Sequence, residues 1–460
     1  MNSLRGFLEP DSIVIVGASQ RPGSISALTV ESLLSAGFEG RICLVNPKGG
    51  ELFGFNAYTS LSEVEPPVDL AVFFLPPSAV VDAVATCGQM GIGSVIVVTD
   101  GLDRVIEEET TIMAKMIETA KKARVRIIGP DSMGVVNTRK RLSTGFVPID
   151  DLTVGGLSLF SQTGLFTGAG LAWIVTTQGL GISKSIDLAK KCDVDEIDCL
   201  EYLGEDRDTK IIAMHIEEIA DGKRFIEAAR KTATKKPILA IKAGKTEASA
   251  RAIASHTGSI VGREEAYVAA FTQSGILRIQ SFEELVDLAK AFIHLPLLKG
   301  KKIAIVTYSG GWGALAADLC EEFGLSIAKL SETTLEKLND LVPAWRQISN
   351  PVDIWPPTKF DTSQTYLKAV RAVALDSATD GLLVIAPAVS SPFLDVLPSL
   401  ADEVHRHDQK PIVICAVGDR DGVAKASSLL SRHLVVYRTV KRAVRALSAL
   451  NRYHSFLQSL

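Results

Sequence analysis

Short runs of Val, Ile and Leu alternate with longer stretches of mixed apolar and polar residues from one end of the chain to the other. Such runs read as strands buried on both faces of a parallel sheet, and the stretches between them as covering helices. The first unit predicts a strand at Ile13–Val16, a small-residue turn at Gly17-Ala18-Ser19 and a helix over Ser26–Ala36. Further strands follow at Ile42–Val45, Leu70–Phe74, Ser94–Val98 and Val125–Ile128, and the unit ends near Gly134–Thr138. This alternation predicts an α/β fold of doubly wound parallel sheets.

The next two units read as copies of each other. One opens Gly156-Leu157-Ser158-Leu159-Phe160-Ser161-Gln162-Thr163-Gly164, the other Lys302-Ile303-Ala304-Ile305-Val306-Thr307-Tyr308-Ser309-Gly310-Gly311. Each is a strand, a Ser/Gly turn and a helix. Lys236–Ile241 then parallels Lys410–Cys415, and each copy closes with a strand and a helix: Ile276–Ile279 with Phe282–Phe292, and Leu434–Tyr437 with Val440–Leu450. Short linkers at Asp150–Val154 and Leu295–Lys301 divide the chain into domains at 1–147, 150–297 and 300–460.

Composition supports this division. A chain of 460 residues exceeds one hydrophobic core and suits about three domains. A net charge of −4 and a pI near 6.1 give no electrostatic footprint for nucleic acid or an anionic membrane. No apolar stretch approaches the roughly 20 residues of a membrane span, and Met1–Ser19 carries no signal-peptide pattern. The six cysteines are scattered without a C-x-x-C pair, which argues against a zinc site or a disulfide framework. A cytoplasmic protein that binds neither nucleic acid, membrane nor metal is expected.

Candidate chemistry lies at the strand-to-helix turns. Gly17-Ala18-Ser19 and Pro22-Gly23-Ser24 stand where the first strand hands over to the first helix, so backbone N–H groups and the helix dipole can approach a phosphate. An NAD site wants an Asp or Glu after the second strand; here Asn46-Pro47-Lys48 follows it, and G-x-G-x-x-G is absent. A lysine at that place suits an extra phosphate, which favours CoA first and NADP second over NAD. Ala243-Gly244-Lys245-Thr246 resembles the tail of a P-loop, but the motif needs glycine where Leu239 stands.

His256, in Ala254-Ser255-His256-Thr257-Gly258-Ser259, has the small polar neighbours of an exposed loop. Glu217 follows the strand Ile211–Met214, where a parallel sheet presents ligands. A carboxylate bonded to one imidazole nitrogen fixes the tautomer and leaves the other free as nucleophile. The third unit serves as an internal control: it has Ala388 near the place of Glu217, and no Ser-His-Thr-Gly follows Lys410–Cys415. Ser161-Gln162-Thr163-Gly164 is expected to start a helix with a capping hydroxyl and free amides, a place for phosphate. Alternation along the chain puts His215 on the same face as Glu217, with a structural role.

Taken in order, several of these segments resemble the α subunit of ADP-forming acetyl-CoA synthetases, within the succinyl-CoA synthetase superfamily. They are Ile15–Ser19, Val45–Lys48, Ile128–Pro130, Ser161–Gly164, Asp193–Glu196, Lys242–Lys245, Ser255–Ser259 and Asn350–Asp353. The resemblance implies a Rossmann-like CoA-binding domain followed by two flavodoxin-like domains. It implies that His256 carries a phosphate oriented by Glu217. It further implies that ATP or ADP and Mg2+ bind a separate ATP-grasp β subunit, in an α2β2 assembly. The expected reaction interconverts acyl-CoA, ADP and phosphate with a small carboxylic acid, CoA and ATP, through acyl phosphate. A regulatory CoA-binding subunit of the same fold with reduced catalysis is the second reading. The chain departs from the family pattern at Asp131-Ser132 (usually Asn-Cys after Gly-Pro), at Ala189-Lys190 (usually Gly-Asn), at Tyr308 (usually Asn) and at Ala27 (usually Gly). These positions are expected at carboxyl-edge loops, with Pro130, Asp131 and Ser132 in a substrate loop, and they point away from acetate as the acid.

Overall fold

The computed structural model describes residues 4–107, 110–149, 152–164, 166–256, 262–355, 362–388, 410–428 and 435–460. Contacts divide the chain into two compact units, one reaching Gln280 and the other starting at Ser281.

The first unit holds two sheets. In the first, β1 (Ser12–Val16), β2 (Arg41–Val45), β3 (Leu70–Phe73), β4 (Ser94–Val97) and β5 (Arg126–Ile128) are parallel, in the order β2-β1-β3-β4-β5. Every residue of β1, β3 and β4 is buried, which is why they read as unbroken apolar runs. The chain leaves β1 toward one side and returns on the other at β3. The crevice at that switch point is where such sheets bind ligands.

The second sheet contains β6 (Val135–Asn137), β7 (Leu142–Ser143), β8 (Val154–Ser161), β9 (Ile182–Asp187), β10 (Ile211–Ile216), β11 (Ile238–Lys242) and β12 (Leu277–Arg278), in the order β7-β6-β9-β8-β10-β11-β12. Strands β8 to β12 are parallel, whereas β6 and β7 join antiparallel at the edge. Residues 135–143, placed with the first domain by the sequence pattern, therefore belong to the second sheet. The Asn137 amide nitrogen donates to Leu8 O at 2.8 Å, tying this edge back to the first domain.

The second unit repeats that topology. Strands β13 (Lys302–Thr307), β14 (Ser326–Ile327), β15 (Val352–Asp353), β16 (Gly381–Ala388), β17 (Ile412–Gly418) and β18 (Val435–Tyr437) run β14-β13-β16-β17-β18, with β15 beside β13. The order matches β9-β8-β10-β11-β12, so the repeat in the sequence is a repeat of architecture. Leu157 pairs with Ile211 and Ile303 with Gly381. Six residues beyond each of these partners stand Glu217 and Pro387, so the counterpart of Glu217 is Pro387 rather than Ala388. The same hydroxyl-to-carbonyl bond closes both first strands, from Ser161 to Thr163 O and from Thr307 to Ser309 O.

The helix Phe282–His294 packs in the second unit, where Asp287 accepts from Arg442 (Nη2–Oδ1 2.6 Å) and Glu284 from Arg445 (2.6 Å). The buried Tyr437 hydroxyl adds a bond to Asp287 O at 2.8 Å. The contact boundary thus falls before this helix, although the sequence pattern assigns it to the middle domain. Among the described residues no helix is long and apolar enough to cross a membrane.

Candidate functional site

Gly17 follows β1 with φ +87°, and a Cβ there would stand 2.4 Å from Phe74 O, just beyond β3. Only glycine fits so close a backbone approach at that angle. The Gly17 and Ala18 amides both donate to Val45 O at 3.0 Å. Ser19 accepts the Arg21 amide at 3.1 Å, and Ser24 caps the helix Ile25–Ala36 through the Ala27 amide at 3.3 Å. Asn46 joins the two turns: its amide nitrogen donates to Ala18 O at 2.7 Å and its oxygen accepts the Lys48 amide at 2.8 Å. The structure thus brings 17–24 and 46–48 to one crevice. Asn46 serves as its brace, and Pro22, Gly23, Pro47 and Lys48 are exposed around it.

Pro130, Asp131 and Ser132 lie in a loop knitted to the segment after β9. Ser132 is buried, its hydroxyl donating to Asp187 O at 2.6 Å and accepting the Gly134 amide at 3.0 Å; both roles are taken by scaffold. Asp131 is exposed. Asp131 (φ 64°), Ala189 (φ 48°) and Lys191 (φ 38°) all take left-handed backbone. Burial pushes the Asp187 carboxyl up to about 7, against the opposing amides of Met133 and Ala189.

The carboxyl edge of the second sheet gathers the remaining candidates. Ser161 is the register partner of Asp187 on one side and His215 on the other. No helix starts directly after Ser161, contrary to the sequence expectation. The next helical turn is Ala169–Ala172, passing into a π-turn at Trp173–Thr177, and the Ser161 hydroxyl donates to Thr163 O instead of capping. Gln162 is buried and turned inward. Its oxygen accepts the amides of Glu217 (2.7 Å) and Glu218 (3.0 Å), and its nitrogen donates to Glu218 O (2.8 Å) and Glu196 Oε2 (3.3 Å). Lys191 Nζ also reaches Glu196 Oε2 (3.0 Å) and Glu218 O (2.8 Å). On the far side the Tyr267 hydroxyl accepts the Ile219 amide at 3.2 Å, and Lys242 Nζ lies 4.3 Å over the Tyr267 ring.

Glu217, directly after β10, is 3% exposed within this frame. Burial lowers Lys242 to about 8, with Glu264 and Glu217 opposing the shift. His215 is buried, its Nδ1 has no hydrogen-bond partner, and Phe166 meets its ring edge-on at 6.3 Å. Burial, with Lys242 adding, holds it down at about 4. His256 is the last residue of the helix Glu247–His256, not part of a loop; its side chain and Thr257, Gly258 and Ser259 lie outside the described residues. Thr163 and Gly164 continue from Gln162 on the same edge. The sequence motifs contained Glu196 and Lys242 but gave them no role, and Lys191 and Tyr267 were not singled out. A buried-pair signal was available only in the closeness of Lys191 and Glu196 along the chain.

Three families match along the chain: a CoA binding domain over residues 11–138, a succinyl-CoA ligase like flavodoxin domain over 154–292 and a ligase-CoA domain over 303–456. The chain is 34% identical over 459 residues to the acetate–CoA ligase [ADP-forming] I subunit alpha of Pyrococcus furiosus, covering 98% of both chains. It is 39% identical over 345 residues to the acetate–CoA ligase [ADP-forming] of Methanocaldococcus jannaschii, 75% of this chain but only 48% of that longer protein. The solved acetyl-coenzyme A synthetase 1 of Ca. Korarchaeum cryptofilum, described as dinucleotide forming and in complex with phosphate and ADP, superposes with a TM-score of 0.90 at 32% identity. That match covers 100% of this chain and 99% of the other.

Proposed function

Because the chain belongs to the ADP-forming acetate–CoA ligase family, we propose that it is the α subunit of an acyl-CoA synthetase that forms a nucleoside triphosphate from acyl-CoA, ADP and phosphate, and runs in reverse. CoA binds the crevice of the first sheet, at Gly17–Ser24 and Lys48. The reaction passes through acyl phosphate. An imidazole nitrogen of His256 attacks phosphorus, the P–O bond to the acyl group breaks, and the carboxylate leaves with the electron pair. Glu217 holds the other imidazole nitrogen and stabilises the charge that develops there. The protein's part is positioning and charge stabilisation, which phosphoryl transfer mainly requires. The Thr163 and Gly164 backbone faces the transferred phosphate. An ATP-grasp β subunit supplies the nucleotide site and Mg2+, in an α2β2 assembly; the M. jannaschii relative is about twice as long as its matched part, consistent with the two halves on one chain.

The observation that carries this reading is the buried Glu217, fixed at the carboxyl edge of the second sheet and replaced by Pro387 in the duplicate. Exposure of the chain to a series of radiolabelled acyl phosphates differing in the acyl group is expected to give, from at least one of them, an acid-labile, base-stable label that His256→Ala abolishes. Undiminished labelling of that variant, or an acid-stable label on Ser255 or Thr257, overturns the assignment.

A further inference from the structure

Glu217 stands on a loop that has no regular structure of its own, yet a carboxylate that orients an imidazole must be held to a fraction of an ångström. The loop is gripped at successive backbone groups. Gln162 takes the amides of residues 217 and 218, while Gln162 and Lys191 together saturate the carbonyl of residue 218. Gln162 cannot rotate away, because its nitrogen is also bonded to Glu196, and Glu196 is bonded to Lys191. Glu196 is 2% exposed and Gln162 2%, so water does not compete for these bonds. Lys191 reaches the network from left-handed backbone at φ 38°, a conformation that the surroundings must impose. The duplicate sheet is a control: Tyr308 follows Thr307 where Gln162 follows Ser161, and the counterpart of Glu217 is Pro387, which has no backbone N–H to be held. Among the described residues the grip is present in the copy with the glutamate and missing from the copy without it.

We propose that Gln162, locked by the buried Lys191–Glu196 ion pair, is a positioning residue that sets the orientation of Glu217 toward the reacting imidazole. The proposal rests on the reading of Glu217 as the partner of His256. It leaves the Gln162 side chain out of direct phosphate binding and assigns any phosphate contact there to the backbone that follows.

The test is a double-mutant cycle on the rate of phosphoryl labelling in the full chain, from whichever radiolabelled acyl phosphate of the series labels the wild type fastest. Gln162→Met is expected to slow labelling at least tenfold at saturating acyl phosphate, with the half-saturating concentration changed less than threefold. Glu217→Gln is expected to slow it at least as much. The double variant is expected to be no slower than Glu217→Gln alone, within about threefold, since a residue acting only through another adds nothing once that other is gone. Should Gln162→Met fail to fold, Lys191→Met/Glu196→Gln replaces it; removing both charges together leaves no orphaned ion, and the same non-additivity is expected. Losses that multiply in the double variant, or labelling of the folded single variant at the wild-type rate, overturn the proposal while the phosphohistidine stands. A wild-type chain that takes label from none of the acyl phosphates in the series overturns the phosphohistidine reading and this proposal with it.

Discussion

The carboxamide oxygen of Gln162 accepts the backbone amide of Glu217 at 2.7 Å, across the gap between the ends of two neighbouring parallel strands. An amide that loses its acceptor in a buried place costs about 1–3 kcal/mol. Gln162→Met keeps the volume and removes the acceptor for two amides. Its expected effect is a loss of at least 1 kcal/mol in urea unfolding, while CoA affinity, which depends on the first sheet, is unchanged. Wild-type stability in that variant shows that water or another group replaces the carboxamide.

The crevice of the first sheet separates two glycines that look alike in the sequence. Gly17→Ala forces a Cβ against Phe74 O, whereas Gly23 has φ +73° but no atom within 4 Å of the added carbon. Calorimetry on the full chain is expected to show CoA binding weakened at least tenfold by Gly17→Ala and less than threefold by Gly23→Ala. Lys48→Glu is expected to weaken CoA and to leave stability unaltered. Tighter binding of NADH than of CoA by the wild type removes the CoA assignment.

The strands and the duplication were legible because a strand buried on both faces is written as an unbroken apolar run. The edge strands Val135–Asn137 and Leu142–Ser143 were not, since pieces so short carry no periodicity. Glu217 could be found from its place after a strand. The inward turn of Gln162 could not, because a glutamine beside Thr and Gly reads equally as a solvent-facing ligand. The carboxylate that anchors it, Glu196, sits in the first turn of a helix, where an acidic residue needs no further reason than the helix dipole.

Two departures from the family pattern coincide with left-handed backbone. The family's Asn and Gly stand where this chain has Asp131 at φ 64° and Ala189 at φ 48°. Gly and Asn are the residues that adopt this conformation readily, so backbone geometry accounts for the family's choice there without any contact to substrate. Ala189→Gly relieves about 1–2 kcal/mol of strain and gives back about 0.4–1 through the freer unfolded chain. The expected outcome is a gain of about 0.5–1 kcal/mol in urea unfolding with acid preference unchanged. An altered ranking of acids as substrates places Ala189 in the substrate site after all.

Asp187 and His215 flank Ser161 in one row across three strands, and they titrate in opposite senses. Burial raises Asp187 to about 7 from 3.8 and lowers His215 to about 4 from 6.5. Between about pH 4 and 6.5 the folded pair therefore holds one proton, on Asp187. The unfolded pair also holds one, on His215. Equal proton counts mean no slope in stability with pH from this pair. Removing either group exposes the other. In Asp187→Asn the folded state holds no proton and the unfolded state holds one, so stability rises with pH. In His215→Leu the folded state holds one and the unfolded state none, so stability falls as pH rises toward about 7. One proton corresponds to about 1.4 kcal/mol per pH unit, and partial solvation of the row in the native ensemble reduces this. Urea unfolding at pH 4.5, 5.5 and 6.5 is expected to give slopes of opposite sign in the two variants, each measured relative to wild type. No slope in either variant means that these two side chains titrate as they do in the unfolded chain and that the row is open to water; slopes of the same sign mean that the two are not shifted in opposite senses.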